Sequence, residues 1–230
     1  MNLKDKRIAV TGGFGTLGAE LVRAAQAAGA RVAAIDHAAV PAAAALGDAT
    51  LIGGVDLADP AAAKAALEQA VQALGGLDAL VNIAGGFRWQ TLADGDLDTW
   101  DFLYRVNLRT AAAASKAAIP YLVQRGGGRI VNVGAAGAAK AGAGMGAYAA
   151  SKAGVAKLTE ALAEELKEHR ITVNAVLPSI IDTPPNRADM PKADFDRWVK
   201  PAQLADVILF LLSDQAQAVT GALLPVVGRV

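Results

Sequence analysis

The sequence of 230 residues predicts an α/β protein with a doubly wound parallel sheet of about seven strands, in one domain over residues 1–230. Three features predict this fold. Short runs rich in β-branched residues alternate with longer runs rich in alanine, leucine and glutamate, as in consecutive βαβ units. The strand-like runs RIAV and RIVNV are apolar almost throughout, as expected for strands that helices cover on both faces. A glycine-rich turn also joins the first strand to the first helix.

The first half of the chain contains four of the predicted strands, each an aliphatic run bounded by charged or small residues. The runs are RIAV, RVAAI, TLIGGV and ALV. An alanine-rich stretch at residues 38–45 predicts a short surface helix. In chain order the main elements are a strand at 7–10, a helix at 16–28, strands at 31–35 and 50–55, a helix at 60–74 and a strand at 79–81.

The second half of the chain continues the alternation. One stretch, residues 178–200, contains four prolines and has no helical or strand period. Long irregular segments within compact domains are typically functional, so this stretch predicts a substrate lid. The regular elements are a helix at 97–123, a strand at 129–133, a helix at 147–169, a strand at 171–176, a helix at 201–212 and a strand at 223–227.

Composition excludes several classes of protein. The 22 Lys and Arg balance the 22 Asp and Glu, whereas a nucleic-acid-binding protein is normally basic. There is no Cys, and hence no disulfide scaffold or thiol nucleophile. His37 and His169 lie far apart, so no metal site is expected. No uncharged run reaches the ~18 residues of a membrane span, and no secretory signal is visible. We therefore expect a cytoplasmic protein that does not bind membranes.

The glycine-rich turn, residues 11–18 (TGGFGTLG), has the setting of a phosphate-binding loop. It follows a strand and opens a helix, so backbone N–H groups and the helix N-terminus can hold a pyrophosphate. Asp36 follows the second strand, where a carboxylate accepts hydrogen bonds from an adenosine ribose and repels a 2′-phosphate. These features predict a Rossmann-type site that prefers NAD(H), with NADP(H) not excluded.

Tyr148 and Lys152 open the helix predicted at residues 147–169. Their i,i+4 spacing places the phenol and the ammonium on one face of that helix. A neighbouring cation stabilises a phenolate, so Lys152 is expected to lower the pKa of Tyr148 toward the range useful for proton transfer. Taken alone, the pair also fits two ordinary surface residues.

Several motifs together, in this order and spacing, resemble the short-chain dehydrogenase/reductase family over essentially the whole chain. Each motif is weak alone, but the combination is specific. They are the turn at 11–18, Asp36, VDL at 55–57, VNIAG at 81–85, VNL at 106–108, YAASK at 148–152 and NAVLP at 174–178.

The resemblance implies a role for each matching residue. Tyr148 corresponds to the general acid/base, Lys152 to its electrostatic partner and a ligand of the nicotinamide ribose, and Asn107 to the holder of a water in a proton relay. It also implies a small-molecule substrate and a homodimer or homotetramer that pairs through the two longest helices. The implied cofactor-binding residues are Gly12, Gly15, Thr16, Leu17, Asp36, Asp56, Leu57, Asn82, Ala84, Gly85, Tyr148, Lys152, Pro178, Ile181 and Thr183.

Three positions depart from the family pattern. Thr16 replaces a glycine at a helix start, where threonine is tolerated as a cap. Ser179 replaces the glycine that follows Pro178. Ala135 replaces a serine that polarises the substrate carbonyl, and no Ser or Thr lies between Ile130 and Ala147.

In two features, Ala135 in place of the serine and the segment from Asp182 to Trp198, the chain resembles one branch of the family, the quinonoid dihydropteridine reductases. That branch implies hydride transfer from NADH to a planar quinonoid ring, with Tyr148 as proton donor. Two alternatives remain open: an ordinary ketone/alcohol dehydrogenase, and a catalytically idle dinucleotide-binding or sensor protein.

Four residues are candidates for the substrate pocket: Trp89, Ala135, Arg187 and Trp198. Trp89 follows the fourth strand and either stacks on a flat ring or caps the core. Phe195 and Trp198 are three residues apart in the predicted lid, where Phe195 fits an anchor better and Trp198 fits the pocket better.

Overall fold

The computed structural model describes residues 2–41 and 46–230. Residues 42–45 of the alanine-rich stretch, where a surface helix was expected, lie outside the described residues. The strands are β1 (Arg7–Thr11), β2 (Arg31–Ile35), β3 (Thr50–Ile52), β4 (Ala79–Asn82), β5 (Gly128–Val133), β6 (Ile171–Pro178) and β7 (Leu223–Val226).

These strands form one parallel sheet in the order β3-β2-β1-β4-β5-β6-β7. The predicted fold is thereby confirmed. The chain moves outward from β1 to β3 and then returns to place β4 on the other side of β1. The order of strands thus reverses between β1 and β4, and ligands of open α/β sheets bind at the carboxyl edge of such a reversal.

Helices cover both faces of the sheet. Ile8 and Val10 belong to a core cluster with the helices at Thr16–Ala27 and Pro201–Leu212. Ala9 belongs to a second cluster with the helices at Pro60–Leu74, Thr110–Arg125 and Gly146–Leu166. Successive residues of β1 thus point to opposite, equally buried faces, which explains the continuous apolar runs. The helices are α1 (Thr16–Ala27), α2 (Pro60–Leu74), α3 (Leu97–Leu103), α4 (Thr110–Arg125), α5 (Gly146–Leu166), α6 (Pro184–Asp189) and α7 (Pro201–Leu212).

The helix expected at residues 97–123 is interrupted. A π-helical segment, Tyr104–Arg109, separates α3 from α4. The wider turn changes the direction of the side chains that follow it, and such segments are common at functional sites. Asn107 lies within it and is 1% exposed.

The other differences from the expected elements are local. β3 ends at Ile52 because Gly54 has a left-handed backbone, with φ of 73°. α5 ends at Leu166, before a 3-10 turn at Lys167–His169 and a left-handed Arg170.

The segment at residues 178–200 is folded rather than structureless, and it contains α6 and a 3-10 turn at Phe195–Arg197. None of the helices in the described part of the chain is long and apolar enough to cross a membrane.

Candidate active site

The turn between β1 and α1 requires glycine where it meets β4. Gly12 has φ of +67°, and a Cβ there would lie 2.7 Å from the backbone nitrogen of Ala84. A side chain at Gly12 would therefore both strain the turn and push it away from the end of β4. This close approach forms the floor of a cleft at the strand reversal.

The N-terminus of α1 faces this cleft, and no side chain occupies its free N–H groups. Gly15 is the N-cap, no side chain caps the helix, and no acidic residue lies in its first turn. Thr16 is the first helical residue, so the expectation that it acts as a cap is wrong. A Cβ at Gly15 would meet nothing nearer than 3.5 Å, which leaves room for a ligand. First-turn N–H groups lack intrahelical acceptors, so the geometry fits a pyrophosphate.

Asp36, directly after β2, is held at the edge of the cleft by two backbone amides. Its Oδ2 accepts a hydrogen bond from the Phe14 nitrogen at 3.0 Å, and its Oδ1 accepts one from the Ala38 nitrogen at 3.0 Å. A carboxylate thus fixed presents negative charge and acceptor lone pairs to whatever sugar binds beside it.

The cleft has a volume of about 560 Å³ and contains most of the expected cofactor-binding residues. Beyond the glycine turn and Asp36, its walls include five expected residues: Asp56, Leu57, Ala84, Gly85 and Thr183. The cleft also has lining residues that the sequence did not indicate, among them His37, Arg105 and Thr110. Phe14 and Val106 line it too, and they lie within the TGGFGTLG and VNL motifs. Gly18 also lines the cleft, and its place in the TGGFGTLG motif could have identified it.

Of the five expected cofactor-binding residues outside these walls, three lie in β4, at the end of β6 or just after β6. Asn82 is buried, and its Nδ2 donates to Ser115 Oγ at 3.0 Å and to Asn132 Oδ1 at 2.8 Å. It thus ties the centre of the sheet to α4. Pro178 ends β6, and Ile181 forms an isolated parallel bridge with Val199. These residues shape the backbone around the cleft.

Tyr148 and Lys152 also lie outside the walls of the cleft, together on α5. The Tyr148 ring is half-buried and stands edge-on to Phe87, with centroids 5.0 Å apart. Lys152 is 6% exposed, and its Nζ donates to the backbone oxygen of Val133 at 2.8 Å. A Cβ at Gly85, in the wall of the cleft, would lie 3.4 Å from the same Nζ. The ammonium therefore lies just behind that wall.

The structure does not show the expected effect of Lys152 on the pKa of Tyr148. Burial raises the pKa of Tyr148 to about 12 and lowers the pKa of Lys152 to about 8. Loss of hydration outweighs any help from the cation, whose Nζ donates to Val133 instead. The phenol is consequently a neutral acid at neutral pH, with a proton to give.

Asn107 connects three parts of the site. Its Oδ1 accepts from the Gly86 nitrogen at 2.9 Å, and its Nδ2 donates to the Gly86 oxygen and to Ser151 Oγ. Ser151 Oγ in turn donates to the backbone oxygen of Tyr148 at 2.7 Å. The side chain of Asn107 thus joins the loop after β4 to the helix that carries the Tyr–Lys pair.

Ala135 lies just after β5 and is 5% exposed. A buried methyl group can neither donate to nor accept from a substrate. The sequence around it, NVGAAGAA, contains no hydroxyl that could replace the missing one.

The structure gives different positions to the other pocket candidates. Trp89 is 61% exposed, and its Nε1 donates to the oxygen of Ala143, so it does not cap the core. Trp198 is 5% exposed and packs on Phe195, with centroids 4.8 Å apart. It therefore anchors its segment, as Phe195 does.

Arg187 forms a double hydrogen bond with Asp182 within the segment at residues 178–200. Together with Lys200, it holds the pKa of that carboxyl well below its usual range. Lys200 also donates to Asp182 Oδ2, at 2.7 Å, and this bond joins the two ends of the segment.

Comparisons with known proteins agree with this geometry. The family model described as short chain dehydrogenase matches residues 6–194. The 2-(S)-hydroxypropyl-CoM dehydrogenase 3 of Xanthobacter autotrophicus is 35% identical over 246 residues, covering 98% of this chain and 96% of the relative. The 3-ketoacyl-(acyl-carrier-protein) reductase of Brucella melitensis, solved with NADH, is 29% identical with a TM-score of 0.88, covering 99% of each chain. The carveol dehydrogenase of Mycobacterium avium, solved with NAD, is 29% identical with a TM-score of 0.87, covering 99% of this chain and 98% of that one.

Proposed function

This chain belongs to the short-chain dehydrogenase family and is an oxidoreductase, and we propose that it reduces a planar, electron-poor ring of the quinonoid dihydropteridine type with NADH. The glycine turn and Asp36 would hold the dinucleotide, whose chemistry would be to supply a hydride carrying two electrons to the ring. Tyr148 supplies the accompanying proton from its hydroxyl, and Lys152 and Asn107 hold Tyr148 and its surroundings in place.

Ala135 is the observation that carries this proposal. Reduction of an isolated carbonyl builds negative charge on one oxygen, and loss of a single preorganised donor for such an oxygen costs about 10²–10³ in rate. A quinonoid ring spreads that charge over several atoms and needs chiefly a proton. A buried methyl at residue 135, in a chain that keeps Tyr148 and Lys152, suits the second kind of acceptor.

An ordinary ketone or alcohol substrate is the second candidate. The names of the relatives favour it, since the proteins compared above are dehydrogenases and a ketoacyl reductase. In that case another donor must take the place of the missing serine hydroxyl.

The deciding experiment compares NADH consumption with quinonoid dihydropterin and with a panel of ketones and aldehydes, for wild type and Ala135→Ser. We expect wild type to reduce the pterin. We expect Ala135→Ser to raise carbonyl turnover by about 10-fold or more, since it restores a donor.

Efficient carbonyl turnover by wild type, with no pterin activity, would establish the second candidate. Failure on every substrate despite tight NADH binding would instead indicate an idle dinucleotide-binding protein. The thermal unfolding midpoint of Ala135→Ser, compared with that of wild type, serves as the folding control.

We also propose that Asp36 makes the cleft prefer NADH over NADPH. Asp36→Asn keeps an acceptor oxygen for one backbone amide but removes the charge that repels a 2′-phosphate. We therefore expect the ratio of the NADPH to the NADH dissociation constant to fall toward one, as measured by fluorescence titration. Equal or tighter NADPH binding by wild type would contradict this role.

A further inference from the structure

The end of the cleft beyond Asp36 is bounded by an ion pair that the reaction itself does not use. The Arg105 guanidinium donates to Asp56 Oδ2, while Asp56 Oδ1 accepts from the Ala58 nitrogen at 3.0 Å. Both side chains line the cleft, and they are 54% and 44% exposed. The pair joins the loop after β3 to the π-helical segment.

We propose that Arg105 is a cofactor-binding residue that closes the adenosine end of the cleft through its ion pair with Asp56. The inference rests on the proposed use of NADH and adds a residue that determines how firmly NADH is held.

The position of the pair supports this role. Val55 donates its backbone N–H to the oxygen of Asp36, so the loop that carries Asp56 adjoins the carboxylate that would hold the ribose. Leu57 and Val106 supply apolar walls at this end. A guanidinium can stack on the face of a purine ring that lies between such walls.

The chemistry of the two arginines on the π-helical segment also differs. Arg109 donates from its Nε to the backbone oxygen of Ala58 at 2.7 Å, which fixes the loop itself. Arg105 is half-exposed and bonds only to a side chain, so it can leave and return without moving the backbone. An exposed pair is weak and screened by salt, which suits a contact that must open at each exchange of cofactor.

Charge gives a second reason for the arginine. Asp36 and Asp56 place two carboxylates at the end of a cleft that is to receive an anionic dinucleotide. The hydrogen bond from Arg105 lowers the pKa of Asp56 and balances its charge. Without Arg105, the negative charge of Asp56 faces the ligand unopposed.

The test measures dissociation constants for NADH, ADP-ribose and nicotinamide mononucleotide, and the dissociation rate of NADH, at low and high salt. The variants are Arg105→Gln, Asp56→Asn and the double substitution. Arg23→Gln is the matched control because Arg23 forms an ion pair with Glu20 at 3.0 Å, is 52% exposed, and lies on α1 away from the cleft.

We expect Arg105→Gln to weaken NADH and ADP-ribose by the same factor, about three- to tenfold at low salt and less at high salt. NADH should also dissociate faster, whereas nicotinamide mononucleotide should bind as it does to wild type. The double variant should bind no more weakly than Arg105→Gln alone, and Arg23→Gln should bind as wild type does.

Four outcomes would overturn the inference, and the first two separate the role of Arg105 from the proposed function. If wild type binds NADH and Arg105→Gln binds ADP-ribose as tightly as wild type does, then Arg105 has no role in binding the cofactor. The proposed function is then unaffected. Wild type that binds no NADH removes both. Weakening of all three ligands together, or an equal effect of Arg23→Gln, would assign the change to general destabilisation and also contradict the closure.

Discussion

Replacing Tyr148 by phenylalanine is expected to lower turnover by about 10²–10⁴, the usual contribution of a positioned general acid. The substitution removes only the hydroxyl. The ring that stands edge-on to Phe87 remains, so the packing of α5 against the loop after β4 is kept. Loss of the acid leaves the developing charge on the acceptor without a proton.

The measurement is the single-turnover rate of NADH oxidation with the best acceptor found for wild type. NADH should still bind to Tyr148→Phe, since the glycine turn and Asp36 are unchanged, and the thermal unfolding midpoint serves as the folding control. Turnover equal to that of wild type would show that the proton comes from another group, and Tyr148 would lose its assigned role.

Replacing Lys152 by methionine is expected to abolish most of the activity and to stabilise the protein. Lys152 keeps a buried charge at a cost, because its pKa falls to about 8 from about 10.5 in the unfolded chain. Methionine has a similar length and no charge. After allowance for the lost donor to Val133, we expect a gain of about 1–3 kcal/mol in the free energy of unfolding at neutral pH.

The pH dependence of this gain has a definite sign. Between about pH 8 and 10.5 the unfolded chain binds more protons at Lys152 than the native protein does, so the stability of wild type rises with pH in that window. Below it, the cost of the buried charge is present in full. The advantage of Lys152→Met should therefore be largest at or below about pH 8 and shrink toward pH 10.

Urea unfolding of wild type and Lys152→Met measures the difference in their free energies of unfolding at about pH 7 and at about pH 9.5. Tyr148 titrates higher and is common to both proteins, so its contribution cancels in the difference. Lys157→Met is the control, because Lys157 lies on the same helix with its side chain 78% exposed. If that difference does not change with pH, or if Lys152→Met is less stable than wild type, then burial of the Lys152 ammonium does not destabilise the protein.

The sequence predicts the sheet well because buried parallel strands need apolar runs and their connections need glycine or polar turns. Two elements have the bounds that the sequence predicts: the strand at 31–35 and the helix at 60–74. The π-helical segment could not be foreseen from the sequence. It differs from an α-helix by one extra residue in the turn, and the composition of residues 97–123 is that of an ordinary helix.

The sequence also does not predict the direction of individual side chains. The spacing of Tyr148 and Lys152 fixes their common face of α5, but the bond from Lys152 to Val133 depends on where β5 ends. The contact between Asp56 and Arg105 joins residues 49 positions apart, and no local pattern indicates it. The sequence favours the substrate pocket for Trp198, yet tertiary packing buries it against Phe195.

The π-helical turn has a consequence for how tolerant this chain is of insertions and deletions. A π turn accommodates one residue more than an α turn does. Deleting a single residue between Tyr104 and Arg109 would let α3 and α4 merge into one regular helix, with better backbone hydrogen bonds. The same deletion would rotate Asn107 away from Gly86 and Ser151. Here a less regular backbone preserves the alignment of the site, and the shorter chain would fold well and work badly.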